Sequence, residues 1–268
     1  MANIEHLNLI KANKLKWIEW RKDNPQIEPD LSDALLSGLN LLDADLQSVN
    51  LNKADLSNSL LPAVNLSNAN LSSANLHSAL LVKANLNQAN LSLANLSAAN
   101  LKEADLIDAN LIGANLSKAN FKSADLSNTN LIGADLSEAN LKAVDLSGAK
   151  LIRANLRYAN LRTANLINSD FSKASLYEAE LIDAYLYKAN FQEANLNQAH
   201  LIGAYLFRAN MSFCELNNVD LRWTNLSKVN FTGANLRGAN LRGANLEKAI
   251  LIGANLEGAI MPDGSVHQ

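Results

Sequence analysis

The chain has 268 residues, 48% of them hydrophobic, with 23 Lys and Arg against 26 Asp and Glu and a formal net charge of −3. That apolar content is enough to bury a core, which excludes a disordered chain, and the lack of a basic excess argues against a general polyanion binder. The one cysteine, Cys214, excludes an internal disulfide framework and a cysteine-cluster metal site.

No stretch approaches the ~18 apolar residues of a membrane span, so no membrane-spanning segment is predicted. The start, MANIEHLNLIKANK, is polar where a secretory signal would be apolar. A cytoplasmic protein is the expectation. Residues 3–22 predict one helix, with Ile4, Leu7, Ile10 or Lys11, Leu15 and Ile18 near a three-to-four spacing and Trp17 and Trp20 adding bulk. Asn24-Pro25 ends it and Pro29 leads on, so 1–28 is expected to be an N-terminal helical cap.

From Leu31 to Met261 every fifth residue, 47 positions in all, is Leu 41 times, Phe four times (Phe121, Phe171, Phe191, Phe231) and Met twice (Met211, Met261). Two residues before this centre, 35 positions are Ala; one residue before it, 26 are Asn and 9 are Asp. A helix would rotate the centres by ~140° per step and scatter them over every face. A straight strand would place successive centres on opposite faces. The chain must turn once per pentad, which makes a solenoid with Leu and Ala inside. Asn and Asp then bond nearby backbone at the bends, and stacked Asn can form ladders between coils. Ten of the eleven glycines fall two residues after a centre, where a corner tolerates them.

The pattern A-(N/D)-L-x-x, as in ANLSS at 69–73 and ADLSE at 134–138, resembles the pentapeptide-repeat family over residues 29–263, in the manner of its bacterial and cyanobacterial members. The resemblance implies an all-β fold, a right-handed quadrilateral β-helix with four pentads per coil. The sequence supports a 20-residue coil independently: Phe171, Phe191, Met211 and Phe231 repeat at 20, as do Tyr185 with Tyr205 and Tyr187 with Phe207. The repeats make ~12 coils and a rod of roughly 55 Å. The helix with NPQIEPDLSDALLSG looks like the leading segment of many bacterial members. Met261-Pro262-Asp263-Gly264 stops the repeat, leaving 264–268 as a short tail. Some family members pair through their C-terminal ends, which implies an end-to-end homodimer here, unless Met261-Pro262 folds over the last coil.

No chemistry-bearing constellation is found. His6, His77, His200 and His267 lack metal-ligand spacing. The many Asp residues occupy the slot that Asn usually fills, and GANLRGANLRG at 233–243 is repeat rather than a phosphate loop. Cys214 takes the Ala slot and reads as a buried, inert thiol. The chain is therefore read as no enzyme, with no catalytic residue, cofactor, metal or small-molecule substrate.

Three functions are weighed. Family members that inhibit DNA gyrase are thought to resemble DNA in shape and charge. Here, however, the two outward slots after each centre carry 17 bases against 11 acids, which is not an acidic rod. Nucleic-acid binding through Lys142, Lys150, Arg153, Arg157 and Arg162, expected to cluster within about one coil, is disfavoured by the overall acidity and the lack of stacking aromatics there. The preferred reading is a rigid scaffold or protein-interaction rod with an unidentified protein partner. Its candidate contact patch is Tyr185, Tyr187, Tyr205, Phe207, Phe213 and Trp223, near Tyr177, Ile182 and Ile202, where the surface departs from the repeat. The competing explanation of the patch is a side-chain ladder that only stabilises neighbouring coils.

Overall fold

Each pentad turns its corner by one device. In the computed structural model, which describes residues 1–12 and 14–268, the carbonyl of each centre accepts the N–H three residues on, as Leu96 does from Ala99 at 3.0 Å. The third residue of that turn has positive φ at every such position from Asp33 (57°) to Gly258 (68°). A single positive φ at that place marks a type II turn. Glycine is not what creates the corner, because Lys83, Glu103, Arg153 and Trp223 adopt the same left-handed conformation. Each such non-glycine residue costs about 1–2 kcal/mol, and inter-coil hydrogen bonds must offset it.

The pentad 96–100 shows how. Leu96 N–H donates to Asn115 O (2.7 Å), Ala98 N–H to Ser117 O (2.9 Å) and Asn100 N–H to Ala79 O (2.9 Å), all in neighbouring coils. The remaining donor, Ser97 N–H, is taken by the Asn95 side-chain oxygen at 3.1 Å. With the turn bond, all five N–H groups of the pentad are satisfied, as burial demands. Asn is thus favoured before the centre because its oxygen closes the account. Where Leu60 and Ile260 replace it, the residue two on is Pro62 or Pro262, which has no N–H to satisfy.

Parallel bridges link residues 20 apart from Asp30↔Asn50 to Asn240↔Ile260, so each coil takes four pentads and positions 20 apart form columns. Centres and Ala slots fill the interior. Phe171 stacks on Phe191 at 4.9 Å between ring centres, as their spacing predicts. Where a hydroxyl enters the Ala slot it is satisfied locally: Thr129 donates to Leu126 O at 2.7 Å and Ser169 to Leu166 O at 2.6 Å. Side-chain ladders run up the outside. Asn190 donates to Asp170 (3.0 Å), Asn210 to Asn190 (3.0 Å) and Asn230 to Asn210 (3.3 Å), so an acceptor-only Asp begins the ladder.

The predicted single helix over 3–22 is instead two, α1 (Ile4–Ala12) and α2 (Lys14–Asp23); residue 13, inside that prediction, lies outside the described residues. The predicted apolar stripe fails with it, since a stripe drawn for one continuous helix does not describe one face of two. Ile4 and Leu15 are about 70% exposed (69% and 70%), while His6, Ile10 and Trp17 are buried. Asn3 caps α1 through Glu5 N–H (2.9 Å). Trp17 Nε1 donates to Asp45 O (2.7 Å), and His6 Nδ1 accepts the Asp30 N–H (3.1 Å), fastening the helices to the first coils.

At the other end the tail folds back. Val266 bridges Ile260 antiparallel, and His267 exchanges backbone hydrogen bonds with Gly258 and Ala259. It covers one side of the last coil only. Leu246, Leu251 and Leu256 stay partly exposed, and among the described residues no carbonyl accepts their N–H groups.

Candidate functional site

The aromatic residues singled out by sequence fall into distinct columns. Tyr185 and Tyr205 replace Asn on adjacent coils and stack at 5.3 Å with ring planes 6° apart. Two residues on, Tyr187 and Phe207 stack at 5.9 Å and 12°. Since Leu186 and Leu206 point inward between them, the four rings share one surface two coils tall. Tyr185 and Tyr205 remain half exposed, at 50% and 51%.

Phe213 and Trp223 do not join that stack. Trp223 stands two residues before Asn225, which is the position above Tyr205, and so flanks the column one coil later. Phe213 lies one pentad past the ring column on its other flank, two pentads round from Trp223. Each leans on the next coil where a glycine leaves room, Phe213 on Gly233 and Trp223 on Gly243. Tyr177 belongs to a separate cluster, edge-on to Tyr158 at 5.8 Å with the Arg157 guanidinium 4.5 Å from its ring centre.

Cations flank two of the four rings, Tyr187 and Phe207. Lys188 lies 5.1 Å from the centre of Tyr187; Arg208 and Lys228 lie 5.3 and 5.4 Å from that of Phe207. With Lys248 these form an exposed column on four successive coils, held in step by Lys188 N–H to Phe207 O, Arg208 N–H to Ser227 O and Lys228 N–H to Glu247 O. Among the described residues only Lys248 of the four has a carboxylate partner, Glu247 at 3.3 Å. The sequence reading missed this column, although its signal is the 20-residue spacing that revealed the rings.

The basic cluster expected from Lys142, Lys150, Arg153, Arg157 and Arg162 does not form. Residues one pentad apart lie on successive sides of a coil, and only Lys142 and Arg162, 20 apart, share a column. That column continues through Lys102 and Lys122. Elsewhere, bases commonly meet acids one coil later: Lys83–Glu103, Lys118–Glu138, Lys173–Glu193 and Arg237–Glu257, at 3.3 to 3.7 Å.

Glu180, His200 and Asp220 stack on successive coils, and Arg222 grips Asp220 through Nε–Oδ1 (2.9 Å) and Nη2–Oδ2 (2.7 Å). Burial alone would raise the Asp220 carboxyl. The hydrogen bonds and charge of Arg222, with His200, outweigh it and hold Asp220 below the usual carboxylate range. Among the described residues no His, Cys, Asp or Glu group is arranged to hold a metal. Cys214 is buried, its Sγ 2.7 Å from Phe191 O, and burial pushes its thiol up to about 12. No helix among the described residues is long and apolar enough to cross a membrane.

The family model described as Pentapeptide repeats matches in overlapping copies from residue 30 to residue 261. Among solved structures, the chain is similar to HetL, a pentapeptide repeat protein involved in heterocyst differentiation regulation from the cyanobacterium Nostoc sp. strain PCC 7120, at 33% identity. That match covers 93% of this chain and 98% of HetL, with a TM-score of 0.48. QnrB1, a plasmid-mediated fluoroquinolone resistance protein, is 19% identical over 71% of this chain and 90% of its own, with a TM-score of 0.39. Rfr23, from the cyanobacterium Cyanothece 51142, is 32% identical over 49% of this chain and 86% of its own, with a TM-score of 0.16. No curated protein sequence matches the chain.

Proposed function

The chain belongs to the pentapeptide-repeat family, and from that premise we propose that it works in the cytoplasm as a rigid, non-enzymatic rod that holds a protein partner against one surface. Its solenoid is a right-handed β-helix preceded by two helices. The reading takes the helical segment 1–28 as a cap. The repeat at 29–263 is taken as four-sided, of about 12 coils and roughly 55 Å, and 264–268 as a tail.

The carrying observation is the exchange made at Tyr185 and Tyr205. An Asn in either slot would accept the N–H of Tyr187 or Phe207; among the described residues no side chain does. Two such hydrogen bonds forgone cost about 1 kcal/mol each. The one ring pair that the exchange creates, Tyr185 on Tyr205, returns about 0.5–1.5 kcal/mol. The exchange gains no stability, so a ladder alone does not account for it. Half-exposed tyrosines with Phe207 and Arg208 close by have the aromatic and arginine enrichment of an interface.

The test is affinity capture from the native host with wild type and a Tyr187→Ser/Phe207→Ser variant. The variant is expected to lose no more stability than the roughly 0.5–1.5 kcal/mol of one ring pair, and to lose the captured protein. A large loss of stability would instead favour the purely structural ladder, and unchanged stability with unchanged capture would remove both accounts. A DNA-like acidic surface has no comparable support, because the outer columns of Lys102, Lys122, Lys142 and Arg162 and of Lys188, Arg208, Lys228 and Lys248 are basic.

The partly uncovered last coil supports one further partner, a second copy joined end to end. Open donors and apolar centres at Leu246, Leu251 and Leu256 are what such pairing would cover.

A further inference from the structure

We propose that the column Lys188, Arg208, Lys228 and Lys248, with Tyr187 and Phe207 beside it, is the docking line for an acidic amphipathic α-helix of a protein partner, laid along the rod axis. This rests on the protein-interaction reading above and narrows it to one chemistry.

Charge selects an anionic partner. Four exposed cations stand in line on a chain of net charge −3, and three of them have no carboxylate partner among the described residues. These three lie beside aromatic rings instead: Lys188 on Tyr187, and Arg208 and Lys228 on Phe207. Glu247 is the one acid in the line, and Lys248 occupies it.

Spacing selects the helix. Four positions on successive coils span three coil spacings, about 14 Å at ~4.8 Å each. Along an α-helix, positions i, i+3, i+7 and i+10 form one stripe, and ten residues at ~1.5 Å rise cover about 15 Å. Four acids in that stripe therefore meet the four cations one to one. An extended peptide offers same-face residues every ~6.7 Å, so three steps run to about 20 Å and fall out of step. A nucleic-acid duplex laid along the rod advances one phosphate per strand every ~3.4 Å of its axis, about 10 Å for three steps. Next to the charged stripe, the stacked rings of Tyr187 and Phe207 offer apolar contact for the helix's flanking residues over two coils.

Two labelled peptides of identical composition test this. One carries Glu at i, i+3, i+7 and i+10 with Leu on the flanking stripe; the other distributes the same Glu residues around the helix. A (dT)20 oligonucleotide is the third probe. The striped peptide is expected to bind at least tenfold more tightly than the scrambled one, with affinity falling as salt rises. An Arg208→Glu/Lys228→Glu variant of unchanged melting temperature should lose at least tenfold of that binding. Equal binding of both peptides, tighter binding of (dT)20, or an unaffected charge-reversal variant would overturn the proposal. If the charge-reversal variant still captures the host protein while Tyr187→Ser/Phe207→Ser does not, the acidic helix is wrong and the protein-interaction reading stands. If neither variant changes capture, that reading fails too.

Discussion

Gly233 lies against the ring of Phe213, one coil earlier, so closely that a Cβ on the glycine would fall 2.7 Å from the ring. Gly133 has the same φ of +66° and nothing within 4 Å of such a Cβ. The pair separates backbone strain from crowding. Gly133→Ala should cost about 1 kcal/mol from the left-handed conformation alone. Gly233→Ala should cost about 1 kcal/mol more, because the ring must leave its seat. Adding Phe213→Ala to Gly233→Ala should remove that surplus, a double-mutant cycle read by chemical denaturation.

Leu116 is fully buried, while its neighbour Ser117 faces outward and donates to Asn115 at 2.7 Å. Leu116→Asp puts an unpaired charge into the core and should cost more than ~4 kcal/mol. Ser117→Asp should stay within ~0.5 kcal/mol. Similar melting shifts for the two would show that the inward and outward slots are misassigned.

The Asp220–Arg222 pair gives a pH dependence of known sign. The folded state holds the Asp220 carboxyl below its ordinary value, so the unfolded state binds the proton more readily. Stability from this group is complete above the usual carboxylate range and is lost as pH falls through the lowered folded value. Asp220→Asn should therefore flatten the acid limb of a melting-temperature profile while lowering stability at neutral pH. An unchanged acid limb would show that the pair contributes nothing.

At the C-terminal end, sedimentation should show a concentration-dependent dimer. A chain ending at residue 263 lacks Val266 and His267, which pair with Ile260, Gly258 and Ala259. It bares a fourth side of the last coil and should associate more strongly. A strict monomer in both forms would refute end-to-end pairing.

Most of the interior is legible in the sequence. A centre every fifth residue, Ala two before it and Asn one before it have a single geometric solution, and the columns of Phe171 with Phe191 and Tyr185 with Tyr205 follow from spacing alone. The cap was harder, because a stripe through Ile4, Leu15 and Ile18 presumes one helix axis, and the burial of Trp17 depends on reaching Asp45 across 28 residues. The basic residues misled for a related reason. Arg153 and Arg157 are near in sequence and stand in different columns, whereas Lys188 and Lys248 are 60 residues apart and on one line. Glycine at a corner gave no hint of its neighbour: Phe213 explains Gly233 only once residues 20 apart are known to touch.

The 20-residue column makes the molecule behave like a combination lock. Every pentad closes its backbone bonds in the same way, so cutting out one pentad leaves the interior intact and turns everything beyond it by one side. Removing residues 196–200 would seat Tyr205 above Glu180 and bring Asn210 over Tyr185, breaking both ring pairs and the line of cations at once. Removing 20 residues would restore every alignment with a shorter rod. Length can thus drift in whole coils at little expense to surface chemistry, whereas a five-residue change rewrites what the surface displays while the fold survives.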